Sequence, residues 1–185
     1  MKSSSMIATA ALLCLAVTLS AGHALAQEKQ KVSYRVSEQN SKYTQQHVID
    51  VGDVPGHQVR VFEIQRMLPA DAPAINGIKL KETWTRGITD YTNYNGPSSS
   101  YDTYLFENGD RLFVRNTTLG QQNAAGKRAI ITVGQITGGT GKFAGIQGMT
   151  RGAGLADPKA GQTATEVEVE YWFSAATVGA SPGRQ

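Results

Sequence analysis

Two glutamates occupy positions where strand alternation sets them beside large apolar side chains. Glu63 shares alternate positions with Val59, Val61, Gln65 and Met67, and Glu82 shares them with Leu80 and Trp84. A carboxylate turned into a low-dielectric interior has a raised pKa and serves as a general acid or base unless a cation pairs with it. Arg86 continues the face of Glu82 and is such a partner. Glu63 and Glu82 are therefore the candidate catalytic residues, and pairing is the competing use of each. Aromatic side chains crowd residues 84–113: Trp84, Tyr91, Tyr94, Tyr101, Tyr104, Phe106 and Phe113. Tyrosines join an apolar face to one orienting hydroxyl, so Trp84, Tyr94, Tyr101, Tyr104 and Phe106, with Gln65, form the candidate ligand-binding set for a small apolar molecule. The same side chains could simply fill a core. Arg111, Arg115 and Asn116 read as solvated strand faces.

Other chemistries find less support. His47, Asp50, Asp53 and His57 are metal-ligand types, but His47 and Asp50 fall on opposite faces of a regular strand, and Asp53 sits in a turn that favours Asp anyway. No metal site is expected, and no cofactor. Neither histidine has a serine in a nucleophile motif nearby. The single cysteine, Cys14, lies in the N-terminal apolar run, which leaves the rest of the chain without a thiol nucleophile or disulfide. The stretch from Ile136 to Gly148 carries a lysine among glycines, yet Phe143 follows Lys142 where a phosphate loop needs Ser or Thr, and the later glycines oppose a helix. It reads as a glycine-built corner between strands.

These residues must be positioned by strands. Period-2 or compact apolar segments recur at 43–51, 58–67, 78–86, 90–94, 100–107, 110–118, 128–137, 146–155 and 165–175, with turn residues between them. Asn108-Gly109 predicts a hairpin with a type I′ turn, and Asp53-Val54-Pro55-Gly56 a second turn. Within 165–173 the glutamates 166, 168 and 170 share one face opposite Val167, Val169, Tyr171 and Phe173, an acidic outer face against a core face. Gly148, Gly152 and Gly154 share a face that a strand bend, a neighbouring aromatic, a subunit or a ligand would exploit. Nine segments suggest an all-β fold, a closed antiparallel barrel of about eight strands plus one irregular piece.

The pattern Ile136-Thr137-Gly138-Gly139-x-Gly141-x-Phe143-x-Gly145, with the hairpin Tyr104 to Val114 before it, resembles the allene oxide cyclase and dirigent-like β-barrel family, including bacterial members. The similarity is clearest over residues 100–155. It implies a calycin-type barrel, cofactor-free cyclisation or isomerisation of an unsaturated substrate as one activity, and a homodimer or homotrimer. Val61-Phe62-Glu63-Ile64-Gln65 resembles the plant strand that bears a catalytic glutamate and, two residues on, an amide. A second register makes 51–57 the connection between the first two strands, fits the bacterial relatives better and leaves Glu63 without an inherited role.

At the N-terminus, Lys2, the apolar run Ile7 to Leu19 and Ala24-Leu25-Ala26 form a signal peptide over residues 1–26 with cleavage after Ala26. The expected organisation is then a loosely ordered segment 27–42, a barrel domain 43–176 and a flexible tail 177–185. Removing Lys2 lowers the formal charge from +3 to +2, and the basic residues are scattered, so no nucleic-acid surface is expected. No segment is long and apolar enough to insert in a membrane. The reading is a periplasmic or secreted barrel that binds a small hydrophobic molecule in its lumen. A cofactor-independent cyclase or isomerase and a structural, partner-binding oligomer are the alternatives.

Overall fold

The protein is described by a computed structural model covering residues 28–157, 160 and 162–173. The expected signal peptide and tail lie outside the described residues. Ten strands follow in order: β1 Gln30–Val36, β2 Ser41–Asp50, β3 His57–Met67, β4 Ala74–Ile75, β5 Ile78–Thr92, β6 Gly96–Phe106, β7 Arg111–Gln122, β8 Arg128–Gly139, β9 Ile146–Asp157 and β10 Gln162–Phe173. Short 3-10 turns at Glu38–Asn40 and Gly141–Phe143 link β1 to β2 and β8 to β9.

All pairings are antiparallel, and the hydrogen-bonded path runs β1-β10-β9-β8-β7-β6-β5-β3-β2, with β4 paired only to β5. The two ends of the path do not pair, so among the described residues this is one open, rolled sheet of ten strands and not a closed barrel of eight. Its roll is nonetheless complete enough that Tyr34 of β1 and Tyr43 of β2 line the same cavity as side chains from β3 and β5–β10.

The count differs from expectation for two reasons. Segments 78–86 and 90–94 are a single strand, β5, because Gly87 to Thr89 pair continuously with both β3 and β6. Conversely, β1 lies inside the segment expected to be loosely ordered. Val32, Tyr34 and Val36 point inward there, while basic residues in and just before it face the acidic side of β10: Lys29 to Glu170 at 2.9 Å, Lys31 to Glu168 at 2.7 Å and Arg35 to Glu166 at 3.7 Å. Opposite charges on paired strands fix which strand β10 accepts.

Turn chemistry sets the corners. The Asn108-Gly109 hairpin forms, but as a type I turn with a bulge: only Gly109 has a positive φ, its N–H bonds Phe106 O at 3.0 Å, and the Phe106 N–H bonds Asp110 O at 3.1 Å. Asp110 then accepts from the Lys142 N–H at 2.9 Å, tying this hairpin to the glycine corner. In that corner Gly141 has φ +52, and a Cβ on Gly139 would lie 2.5 Å from Phe143 Cβ and 2.8 Å from Arg111 O. Close packing, not ligand access, explains those two glycines.

The interior changes character along the strands. The inward row of β6 reads Ser98, Ser100, Asp102, Tyr104, Phe106, and that of β7 reads Thr118, Asn116, Val114, Leu112. At the apolar end, Leu80, Phe106, Leu112, Ile136, Phe143, Ile146 and Tyr171 form a dry core in which Phe106 stacks on Phe143 at 4.1 Å. The opposite end is hollow and holds buried polar side chains among apolar ones.

Candidate functional site

A cavity of about 100 Å³ occupies the polar end of the roll. Its walls include three arginines, Arg60, Arg66 and Arg128, and one carboxylate, Asp102, among threonines and serines, with apolar patches from Val36, Phe62, Ile64 and Ile130. The lumen therefore sets buried charges and hydroxyls into a mainly apolar surface, where the aromatic run of the sequence suggests a lining for a small apolar molecule.

Each arginine is held differently. Arg60, on the inward face of β3, donates from Nη1 to Gln46 Oε1 at 3.1 Å and lies 5.2 Å from the Tyr43 ring, 5.3 Å from Phe62 and 5.7 Å from Tyr91. Arg128, at the start of β8, donates to Tyr94 O at 3.0 Å, Gly96 O at 2.7 Å and Ser98 Oγ at 3.3 Å, locking the β5–β6 turn to the cavity wall. Arg66 donates to Thr85 Oγ1 at 2.7 Å. Burial raises the Asp102 pKa, opposed by the charge of Arg66 and by hydrogen bonds from Thr85 and Asn116. Asn116 in turn accepts from Thr150 Oγ1 at 3.5 Å, so it is buried in the lumen instead of solvated. Burial likewise pushes the phenols of Tyr34 and Tyr104, which hydrogen-bond each other, above their ordinary range.

Several of these groups lack partners. Among the described residues six buried side-chain polar atoms make no hydrogen bond, and five of them belong to cavity residues: Arg60 Nε, Arg66 Nε, Asp102 Oδ1, Thr163 Oγ1 and Thr165 Oγ1. Buried polar groups are almost always satisfied, and each exception costs on the order of 1–3 kcal/mol. Five around one small space mark it as a place for polar contents.

The candidates from the sequence are dispersed. Tyr104 alone among them lines the cavity. Glu63 shares a face with Gln65 and Met67 as expected, but that face is the outer one: its carboxylate accepts from Thr44 Oγ1 at 2.6 Å and Arg86 Nε at 2.7 Å, which hold its pKa down, the threonine most. Glu82 and Trp84 are also outside. The pairing of β5 with β6 slips between Leu80 and Glu82, and this bulge turns Glu82 and Trp84 away from the face of Leu80. Glu82 accepts from Gln65 Nε2 at 3.0 Å, and Trp84 lies under Arg86 at 5.2 Å. Arg86 thus pairs Glu63 rather than Glu82. Tyr101 is 63% exposed on the outer face, Phe106 belongs to the dry core, and Tyr94 sits in the β5–β6 turn stacked on Tyr91 at 5.5 Å. His57 is clamped between Asp53 (2.6 Å) and Asp90 (2.9 Å), and no three His, Cys, Asp or Glu among the described residues are placed to hold a metal.

Missed by the sequence reading were Arg60, Arg66, Arg128 and Asp102. An alternative inward row, Arg60, Phe62, Ile64, Arg66, was available in β3, but its partner face of Val59, Val61 and Met67 is as apolar, so alternation by itself does not choose between them.

No protein-family model matches the chain, and no curated protein does. Among solved structures, a pyocyanin demethylase overlaps it with 20% identity and a TM-score of 0.44, covering 76% of this chain and 99% of that one. The pterocarpan synthase dirigent protein GePTS1 overlaps with 14% identity and a TM-score of 0.49, covering 80% of this chain and 90% of its own. The related dirigent protein PsPTS1 overlaps with 13% identity and a TM-score of 0.48, at 80% and 97% coverage. These are resemblances in the course of the strands, and no residue role passes across them.

Proposed function

We propose that the chain is an exported binding protein that holds one small molecule, part polar and part apolar, in the hollow end of its rolled sheet. The observation that carries this reading is the convergence of unpartnered buried donors and acceptors on a single cavity with apolar patches between them. Its size sets the ligand's. A dry cavity of about 150 Å³ accepts a benzene ring, so 100 Å³ suits a molecule smaller than that, such as a short chain. Water would satisfy the same atoms, and one variant separates the two. A Cβ on Gly152 meets only ordinary contacts, Thr132 Cβ at 3.6 Å and Glu166 O at 3.5 Å, and the residue lines the cavity. Gly152→Val therefore fills the space without backbone strain. Mass spectrometry of small molecules released from natively purified protein should find a near-stoichiometric compound on the parent and none on Gly152→Val. A parent that releases nothing, and whose melting temperature no small organic solute raises more than that of Gly152→Val, would contradict the reading.

Asp102 supports a second reading, cofactor-free cyclisation or isomerisation of an unsaturated ligand. It is the lumen's one carboxylate, its pKa is raised and one of its oxygens is free. In that case Asp102→Asn removes turnover while leaving affinity nearly intact, because proton transfer acts in the transition state. Glu63 and Glu82, outside the lumen, have no part in it.

A further inference from the structure

We propose that the molecule held in the lumen is a small organic monocarboxylate, its carboxylate seated against the free edge of Arg60 beside Arg128. This rests on the lumen reading above and narrows it. Charge makes the first argument. Besides the exposed Arg151, which pairs with Glu168, three buried guanidinium groups line the cavity and a single carboxylate shares it. That carboxylate, Asp102, is the neighbour of Arg66. Among the described residues neither Arg60 nor Arg128 makes an ion pair with an acid, and the charged or titratable groups acting on Arg128 are Arg60, Tyr43 and Tyr91. Both arginines are buried, at 2% and 4% exposure. Two like charges facing each other out of water are costly unless an anion lies between them.

Geometry makes the second. Tyr43, Phe62 and Tyr91 surround the Arg60 guanidinium at 5.2–5.7 Å, and Gln46 takes its Nη1. Nε stays unpartnered. In a guanidinium, Nε–H and Nη2–H form a fork whose spacing matches the two oxygens of a carboxylate. Arg128 is already fixed by Tyr94, Gly96 and Ser98, so its charge is in place before a ligand arrives. The rest of the wall decides between organic and inorganic anions. Val36, Phe62 and Ile130 offer apolar surface that a carboxylate's hydrocarbon body covers and a sulfate or phosphate does not.

The test uses neutral twins. Acetate and butyrate are titrated into the mature protein against acetamide and butyramide, with sulfate and phosphate at matched ionic strength, by calorimetry and thermal shift. At least one carboxylate should bind one to one and about tenfold or more tighter than its amide, and Arg60→Gln should erase that preference while Arg60→Lys keeps part of it. Should Arg60→Gln fail to fold, the carboxylate-to-amide ratio on the parent and its loss in Gly152→Val decide the matter. Equal binding of acid and amide, or a neutral compound among the molecules released from native protein, would overturn the carboxylate and leave the lumen reading standing. Binding of sulfate or phosphate alone would overturn the organic ligand. No binding by any probe, with nothing released from native protein, would overturn both.

Discussion

The two ends of the rolled sheet are built by the same strands and solve opposite problems. Along β6, Phe106 stacks against Phe143 in a core where every named side chain is sealed, while Ser98 and Ser100, a few residues earlier on the same face, look into a cavity. The dry end adds a cap that the hollow end lacks: the Gly141–Phe143 turn drives Phe143 into the interior, and β4 brings Ile75 over the same core. Unpartnered buried polar atoms fall almost wholly on the other side of Tyr104. Stability is concentrated at one end so that the other can stay open, as a site needs rigid support more than it needs filling. The two ends should therefore respond oppositely to substitution.

The sharpest contrast is between aromatic and hydroxyl deletions. Phe143→Ala, fully buried and stacked, should cost about 3–5 kcal/mol in denaturant unfolding. Thr165→Val, whose hydroxyl already lacks a partner, should be neutral or mildly stabilising. Comparable losses at both positions would break the division. Glycines sharpen it further. Gly139→Ala, pressed against Phe143 and Arg111, should cost about 1–3 kcal/mol. Gly152→Ala should stay within about 0.5 kcal/mol of the parent.

Two titrations give smaller effects. Burial raises the pKa of Asp102, so the folded state holds that proton more tightly than the unfolded chain does. Its contribution falls as pH rises from the ordinary carboxylate range through the raised value. Asp53, Glu63, Glu168 and Glu170, whose pKa values are lowered, act in the opposite sense. Only the difference between parent and Asp102→Asn isolates the lumen: relative to the parent, the variant should gain melting temperature as pH increases through that window. At the start of β3, hydrogen bonds to Asp90 and then Asp53 raise the pKa of His57. Its stabilisation is complete below the ordinary imidazole value of about 6.5 and is lost as pH passes the raised one. Melting curves of His57→Gln should lack that small decline.

Sequence periodicity made seven of the eight long strands after β1 legible and β5 as two pieces, together with the acidic face of β10 and the structural role of the glycine corner. What it hid has particular causes. A one-residue bulge beside Leu80 inverted the faces of Glu82 and Trp84, and bulges leave no pattern that alternation detects. The strand β1 looked like a charged linker because its value lies in a distant partner, Lys31 and Arg35 against the glutamates of β10. The site itself was hidden most deeply: buried arginines defy the rule that charge faces water, and only the roll of the sheet shows that Arg60, Arg66 and Arg128 converge.

The division of the interior is tested most directly by NMR of the arginine side chains and core amides during titration with the compound released from native protein. The account predicts that the Nε–H resonances of Arg60 and Arg66 shift with saturating ligand while the amides of Phe106 and Phe143 stay put. Shifts confined to outer-face residues such as Ile131 and Val133, with both arginine signals unmoved, would contradict it.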